Sequence, residues 1–251
     1  MEMRRLGNDG PMVSVLGLGT VKIGRNTGLR YASGFSLPTD AQVRALLETA
    51  REVGINLIDT APAYGSSEER LGAIIGAVPG GWDGWVVCTK VGEEFDGERS
   101  RHDFSPGAVR ASVERSLRRL RVERVDVVLI HSDGRDVEIV ERSGAVEELE
   151  RMRAAGMVGQ IGMSTKTVEG ALAAVDRMDV VMVTLNEKET ADLPAIARAR
   201  ELGKGVVVKK ALGQGSAVGS LGFAVRTPGV SSVVVGTVDA GHLKENARGI
   251  E

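Results

Sequence analysis

Eight times along its 251 residues the chain repeats one unit, a short apolar run followed by a segment of helical period. The runs are "VLGLGT" (15–20), "INLIDT" (55–60), "WVVCTK" (85–90), "VDVVLIH" (125–131), "GQIGMS" (159–164), "DVVMVTLN" (179–186), "GVVVKKA" (205–211) and "SSVVVGT" (231–237). They are nearly continuous in Val, Ile and Leu, the pattern of strands covered on both faces. Strands alternating with helices pair in parallel through right-handed crossovers. Eight such units in roughly 250 residues predict a (β/α)8 TIM barrel. An open doubly wound sheet is the alternative, but it usually has fewer strands and would want a phosphate loop after the first. No linker or low-complexity stretch divides the chain, so residues 1–251 read as one domain.

The helical segments carry their own punctuation. "PTDAQVRALLETAREVG" opens on an N-cap candidate and closes at Gly54, a C′ glycine. "SSEERLGAIIGA" puts acidic residues in its first turn, where the macrodipole favours them. Ahead of the first barrel strand, "MRRLGNDGPMVSVL" turns at Asn8-Asp9-Gly10-Pro11 and reads as a short β-hairpin capping the barrel bottom.

Composition narrows the partners. A formal net charge of −2 and a pI near 6.0 give no general attraction for nucleic acid or an anionic membrane. Arginine outnumbers lysine 24 to 8, but the densest cluster, "RSLRRLRVERVD", interleaves with glutamate at helical spacing and reads as a solvated helix face. The single cysteine, Cys88, excludes an internal disulfide, fits a reducing compartment and lies in an apolar run as a buried, inert thiol. The first ten residues hold no signal core and no apolar run approaches the roughly 18 residues of a membrane span. A soluble cytoplasmic protein is expected. Three scattered histidines and one cysteine give no metal-ligand spacing. "GLGT" lacks the third glycine and the following helix of a dinucleotide fingerprint.

The ends of the strands carry the chemistry. In such a barrel the site lies at the C-terminal face, and three successive strands end in Asp59, Lys90 and His131. Neighbouring strands about 4.8 Å apart would let these side chains converge, with Tyr64 bending back from the loop after the second strand. A phenol with an ordinary pKa near 10 is a poor proton donor at neutral pH; an ammonium from Lys90 would lower it. Asp59 would keep that ammonium charged and oriented. His131 could donate to a carbonyl oxygen or join a proton relay. Each residue alone has a structural reading; on consecutive strand tips the joint reading is a site that polarises a carbonyl while a nicotinamide cofactor supplies hydride.

These stretches resemble the aldo-keto reductase family: "GLGTVKIG" (17–24), "NLIDTAPAYGSSEERLG" (56–72), "VVCTKVG" (86–92), "SVERSLRRLRVERVDVVLIHSD" (112–133), "GMVGQIGMS" (156–164) and "GVSSVVVGTVDAGHLKENA" (229–247), in order and nearly end to end. The resemblance implies a catalytic tetrad of Asp59, Tyr64, Lys90 and His131. Tyr64 is then the general acid for carbonyl reduction and the general base for alcohol oxidation, with the pro-R hydride of NAD(P)H transferred.

It also implies a cofactor lying across the barrel mouth. Gly19, Thr20 and Asp59 would line it at the first two strand ends, and Ser164 and Thr165 stand where a Ser-Asn pair usually holds the carboxamide. Met182 replaces a usual glutamine, and Lys209 replaces the ring that commonly stacks on the nicotinamide. Leu212, Gly213 and Gln214 fall in the stretch that folds over the pyrophosphate; Gly236, Thr237, His242, Glu245 and Asn246 fall at the adenosine end. His242 stands where a base meets the ribose 2′-phosphate, as a weaker partner than arginine or as a surface helix residue with no role; the resemblance alone implies NADPH over NADH.

The expected partner is a small carbonyl or alcohol; neither its identity nor an oligomeric state follows from the sequence. Residues 25–38 are long for a βα loop and could form a partial lid with Tyr31 and Phe35, or no ordered structure. The stretch around His102 reads as a loop that could line the substrate entrance; with the sequence ending straight after the last helix, the pocket is expected to be more open, or completed by another chain. The rival reading is a regulatory barrel that binds the cofactor with negligible turnover; a lyase or isomerase using the Lys–Tyr pair is a third.

Overall fold

The computed structural model describes residues 1–28, 35–213 and 220–250. It opens with β1 (Met3–Arg5), β2 (Met12–Ser14), β3 (Leu16–Gly19), α1 (Val21–Gly24), α2 (Asp40–Glu52) and β4 (Leu57–Asp59). A 3-10 turn (Pro62–Tyr64), α3 (Ser67–Ile75), β5 (Val86–Val91), β6 (Glu93–Phe95), β7 (Ser100–His102), α4 (Pro106–Leu120) and β8 (Val125–His131) follow. Next come α5 (Asp136–Arg142), α6 (Ala145–Ala154), β9 (Val158–Ser164), α7 (Val168–Arg177) and β10 (Val180–Thr184). The last units are α8 (Leu193–Glu201), β11 (Gly205–Lys209), α9 (Ser220–Arg226), β12 (Ser232–Gly236) and α10 (Ala240–Arg248).

The eight predicted strands close into a parallel barrel in the order β3-β4-β5-β8-β9-β10-β11-β12, with β12 returning to β3. Local chemistry starts the helices where the sequence indicates. Thr39 and Gln42 form a reciprocal capping box on α2. Ser105 caps α4 with Pro106 at its first position, and Thr167 and Asp239 cap α7 and α10. Gly54 closes α2 with φ +81°, a conformation that only glycine adopts without strain.

Side chains alternate along each strand, so every second residue points inward. Leu57, Val86, Cys88, Val127, Leu129, Val180, Met182 and Val207 fill the barrel interior. Leu6 and Val13 of the β1–β2 hairpin join that cluster and plug the bottom as expected; Gln160 Nε2 donates to Leu6 O at 3.0 Å. The outward rows, such as Ile58, Val87, Val128 and Ile161, pack against Leu46, Leu71, Val113 and Leu149 of the helices. Each fully buried side chain of this size contributes about 1.5–3 kcal/mol.

Two elements go beyond the sequence reading. Residues 93–102, read as part of a polar loop, form the antiparallel β6–β7 hairpin, and α5 precedes α6. Neither hairpin strand has an alternating apolar pattern; tertiary contacts hold them instead. The Arg25 guanidinium stacks 3.6 Å from the Phe95 ring centre, and Glu94 accepts from Ser112 and pairs with Arg115 of α4. Part of the arginine-rich face of α4 is thus paired across elements: Arg119 reaches Glu68 and Glu69 of α3.

Candidate functional site

Read along the inward rows, the layers turn polar at the C-terminal end. Leu57 gives way to Asp59, Val86 and Cys88 to Lys90, and Val127 and Leu129 to His131, each step two residues on. Since β4, β5 and β8 are neighbours, the three tips meet on one side of the mouth. Lys90 Nζ donates to Asp59 Oδ1 at 2.6 Å and to Thr60 O at 2.9 Å. The two side chains are 1% and 6% exposed, so little water screens the pair. Burial pulls the Lys90 ammonium toward deprotonation, but Asp59, Tyr64 and Cys88 together outweigh it and hold its pKa above the usual value. Cys88 lies directly beneath, fully enclosed, and burial raises its thiol well above the ordinary range; it is the inert thiol expected.

Tyr64 ends the 3-10 turn, its N–H donating to Ala61 O at 2.9 Å. Two glycines fix its approach. Gly65 has φ +62°, and a Cβ there would lie 2.3 Å from Gly24 O; a Cβ on Gly24 would lie 2.3 Å from Tyr64 O. The half-buried ring lies with its centre 4.7 Å from Lys90 Nζ. Burial raises the Tyr64 hydroxyl above the ordinary phenol value; Lys90 lowers its pKa as expected, but the net direction is up. Tyr64 therefore holds its proton at neutral pH, while the neighbouring Lys90 ammonium favours the phenolate.

His131 stands edge-on to Tyr64, ring centres 6.3 Å apart at 87°. Its Nδ1 lies 2.9 Å from Glu93 Oε2, with side chains 20% and 15% exposed. Glu93 is the one group within contact distance of Nδ1, which has no other hydrogen-bond partner among the described residues. Burial lowers the His131 pKa, Glu93 opposes, and Lys90 and Lys209 lower it further; the net direction is down. Burial acts to raise Glu93, but contacts from His131, Ser100 and His102 hold it at about 2. Glu93 is the residue that sequence reasoning missed: it follows a glycine in a charged stretch and reaches the mouth only through the β6–β7 hairpin. His102, read as a loop residue, lies on β7 with Nε2 4.0 Å from the same carboxylate oxygen.

The remaining predicted contacts divide into groups. Ser164 ends β9 beside His131, and Lys209 ends β11; Lys209 Nζ donates to Ser164 Oγ at 2.8 Å and Thr165 O at 2.6 Å. Burial, then Lys210 and Lys90, pull Lys209 down to about 7, Asp192 and Asp136 offsetting part. Gly19 pairs with Asp59 on one side and Gly236 on the other, and Val234 Cγ1 packs where a Cβ on Gly19 would lie. Thr20 is fully buried, donating to Asp59 O at 2.9 Å and accepting from Ser67 at 2.8 Å; it braces the strand ends. Met182 is 2% exposed in the interior cluster, one layer below the polar mouth, and only its carbonyl reaches the next loop, accepting from Thr165 N at 3.1 Å. Leu212 packs on the outer core, Gly213 ends the described part of its loop, and Gln214 and Tyr31 lie outside the described residues. Thr237 Oγ1 accepts from Asp239 N at 3.1 Å ahead of α10, on which His242 and Glu245 are exposed and Asn246 is half-buried.

These residues fit an anionic dinucleotide. Lys209, depressed first by burial and then by Lys210 and Lys90, would gain from an anion beside it. The clefts of about 500 and 530 Å³ around the hairpin lie at the opposite end of the barrel. Among the described residues no helix is long and apolar enough to cross a membrane.

Comparison with known proteins agrees with this geometry. D-threo-aldose 1-dehydrogenase of Pseudomonas is 32% identical over 218 residues, 75% of this chain and 63% of that protein. L-galactose dehydrogenase of Arabidopsis thaliana is 30% identical over 71% of this chain and 53% of that protein. The chain thus spans less than two thirds of the length of these curated relatives. Among solved structures, PA4992 of Pseudomonas aeruginosa, described as an aldo-keto reductase, superposes with TM-score 0.90 at 45% identity, covering 99% of this chain and 93% of that one. The holo form of AKR11C1 from Bacillus halodurans shares the fold with TM-score 0.84 at 20% identity. The sequence model of the Aldo/keto reductase family matches residues 15–220, from the first barrel strand to the start of α9 and so across all four polar side chains of the mouth, and the chain belongs to that family.

Proposed function

We propose that this protein is an NAD(P)-dependent oxidoreductase that interconverts a small alcohol and its carbonyl, with NADPH the expected donor. The observation that carries the reading is the buried Lys90–Asp59 pair beneath the Tyr64 ring at the C-terminal mouth. A nicotinamide held by Ser164, Thr165 and Lys209 would supply or take the hydride. The rest falls to the side chains. Tyr64 keeps its proton until negative charge develops on the substrate oxygen, then gives it up. The phenolate that remains faces the Lys90 ammonium in a site poor in water, where that charge is worth most. Asp59 and Thr60 O fix the ammonium so that no reorganisation is needed at that moment. In the opposite direction the same phenolate takes the alcohol proton.

The mouth is lined by Ser164, Thr184, Lys209, Glu93 and His102, which suits a hydroxylated substrate. Three relatives are named as dehydrogenases of aldoses: D-threo-aldose, L-galactose and D-arabinose. We therefore assign an aldose-like hydroxyaldehyde or its cyclic form as the substrate class; the free, buried thiol of Cys88 is compatible with a reducing compartment such as the cytoplasm. The test is calorimetric titration with NADPH and NADH, then a panel of aldoses and simple aldehydes. Heat is the appropriate readout because Trp82 and Trp85 precede β5, at the barrel end away from the site. Saturable binding followed by aldose turnover supports the reading; absence of binding to either cofactor overturns it.

A further inference from the structure

The β6–β7 hairpin does more than wall the mouth. Its two acidic neighbours face opposite ways. Glu94 turns outward to Ser112 and Arg115 and anchors the hairpin to α4. Glu93 turns inward to His131 Nδ1. Arg25 ties the same hairpin to the Tyr64 turn, donating to Ala63 O at 2.9 Å and Ser100 Oγ at 3.3 Å. The hairpin is therefore held without Glu93, and the Glu93 contact requires a separate explanation.

A neutral imidazole has one N–H and one bare nitrogen. The carboxylate of Glu93 offers no proton, so a bare Nδ1 at 2.9 Å would set a lone pair against an anion, and the contact is favourable only when Nδ1 carries a proton. We propose that Glu93 is a positioning residue that fixes His131 in the Nδ1–H tautomer, leaving Nε2 bare toward the mouth. Neutral His131 then presents a proton acceptor to a bound oxygen, and it presents an Nε2–H donor only as the imidazolium. This reverses the simplest expectation for that side chain, a neutral donor to a carbonyl.

The kinetic consequence rests on the hydride-exchange reading; the tautomer does not. Tyr64 takes the alcohol proton in oxidation; a charged His131 would donate to the substrate oxygen and hold back the electron pair that must form the carbonyl, so oxidation is favoured when the ring is neutral, at neutral and alkaline pH. Carbonyl reduction gains a donor from His131 only when the ring is charged, toward acid pH. The groups facing the ring are Glu93 from β6, His102 from β7, Lys90 from β5, Lys209 from β11 and Tyr64 from the 3-10 turn. Arg25 shares the Glu93 field. Of these, Glu93 alone both touches Nδ1 and favours the charged ring.

The test is a long-range proton–nitrogen NMR correlation on protein with labelled imidazoles, without substrate or cofactor. Only His102, His131 and His242 contribute, and His131→Gln and His102→Gln assign them. The expected result is a neutral His131 protonated on Nδ1. In Glu93→Gln its titration midpoint falls by about one pH unit, the lower end of the effect of a removed opposite charge, and Glu93→Asp restores part of the shift. In the active enzyme the pH limb for alcohol oxidation should move with the NMR midpoint. A wild-type His131 protonated on Nε2 overturns the proposal, as does a midpoint that Glu93→Gln leaves unmoved. Failure to turn over any alcohol would overturn the assigned activity and leave the tautomer result standing.

Discussion

Asp59→Asn removes one charge from a pair at 2.6 Å whose side chains are 1% and 6% exposed. Breaking such a pair from one side costs about 3–5 kcal/mol, because the remaining charge stays buried. Unfolding entropy of about 2.1 cal/mol/K per residue gives roughly 0.5 kcal/mol/K for a chain of this size, so the melting temperature should fall by about 6–10 °C. The sign with pH is also set. In the wild type the Lys90 pKa is raised above 10.5, so its stabilisation is complete below that value and is lost only in stronger alkali. In Asp59→Asn the desolvation of Lys90 loses its main opponent, and stability should instead rise with pH as the amine sheds its proton. The assay is thermal denaturation of wild type, Asp59→Asn, Lys90→Met and the double variant across pH 6–10. The double variant should recover at least half of the loss, since it buries no lone charge. A fall below about 2 °C in Asp59→Asn, or a double variant no better than the single, would refute the view that this pair is a buried, mutually dependent unit.

Other consequences are equally specific. The amine of Lys209, held near 7 by burial and its lysine neighbours, should label with an amine reagent at half-maximal rate near that pH; mass spectrometry reads the site, and NADPH should protect it. Gly65→Ala places a Cβ 2.3 Å from Gly24 O at φ +62° and should cost about 1–3 kcal/mol while displacing Tyr64, so turnover should fall more steeply than cofactor affinity. Glu93 is held at about 2 against an ordinary 4.5, so its stabilisation is present above pH 4.5 and is lost as pH falls toward 2. Glu93→Gln should flatten that acid limb by about 2–3 kcal/mol, as acid titration followed by circular dichroism would record.

What was legible in the sequence was the part governed by short-range periodicity. The inward rows Leu57-Asp59, Cys88-Lys90 and Leu129-His131 switch from apolar to polar at the last step of consecutive strands, and strand neighbourhood follows from the repeated unit. Glu93 was not legible. It has no periodic partner, and only the hairpin, through Arg25 on Phe95 and Arg115 on Glu94, brings it to His131. The net Tyr64 direction was missed for a related reason: the neighbouring charge was apparent from Lys90, but burial, which outweighs it, is a property of the fold. Met182 illustrates a third limit, since a strand position one layer down looks the same in sequence as one at the mouth.

The most direct test of the central claim is Tyr64→Phe, with turnover and cofactor affinity measured on the same preparation. The account predicts that aldose oxidation and aldehyde reduction both fall by about 10²–10⁴-fold or more, with NADPH affinity within about twofold of wild type. Turnover surviving within tenfold, or affinity lost together with turnover, would contradict the assignment of Tyr64 as the group that moves the proton.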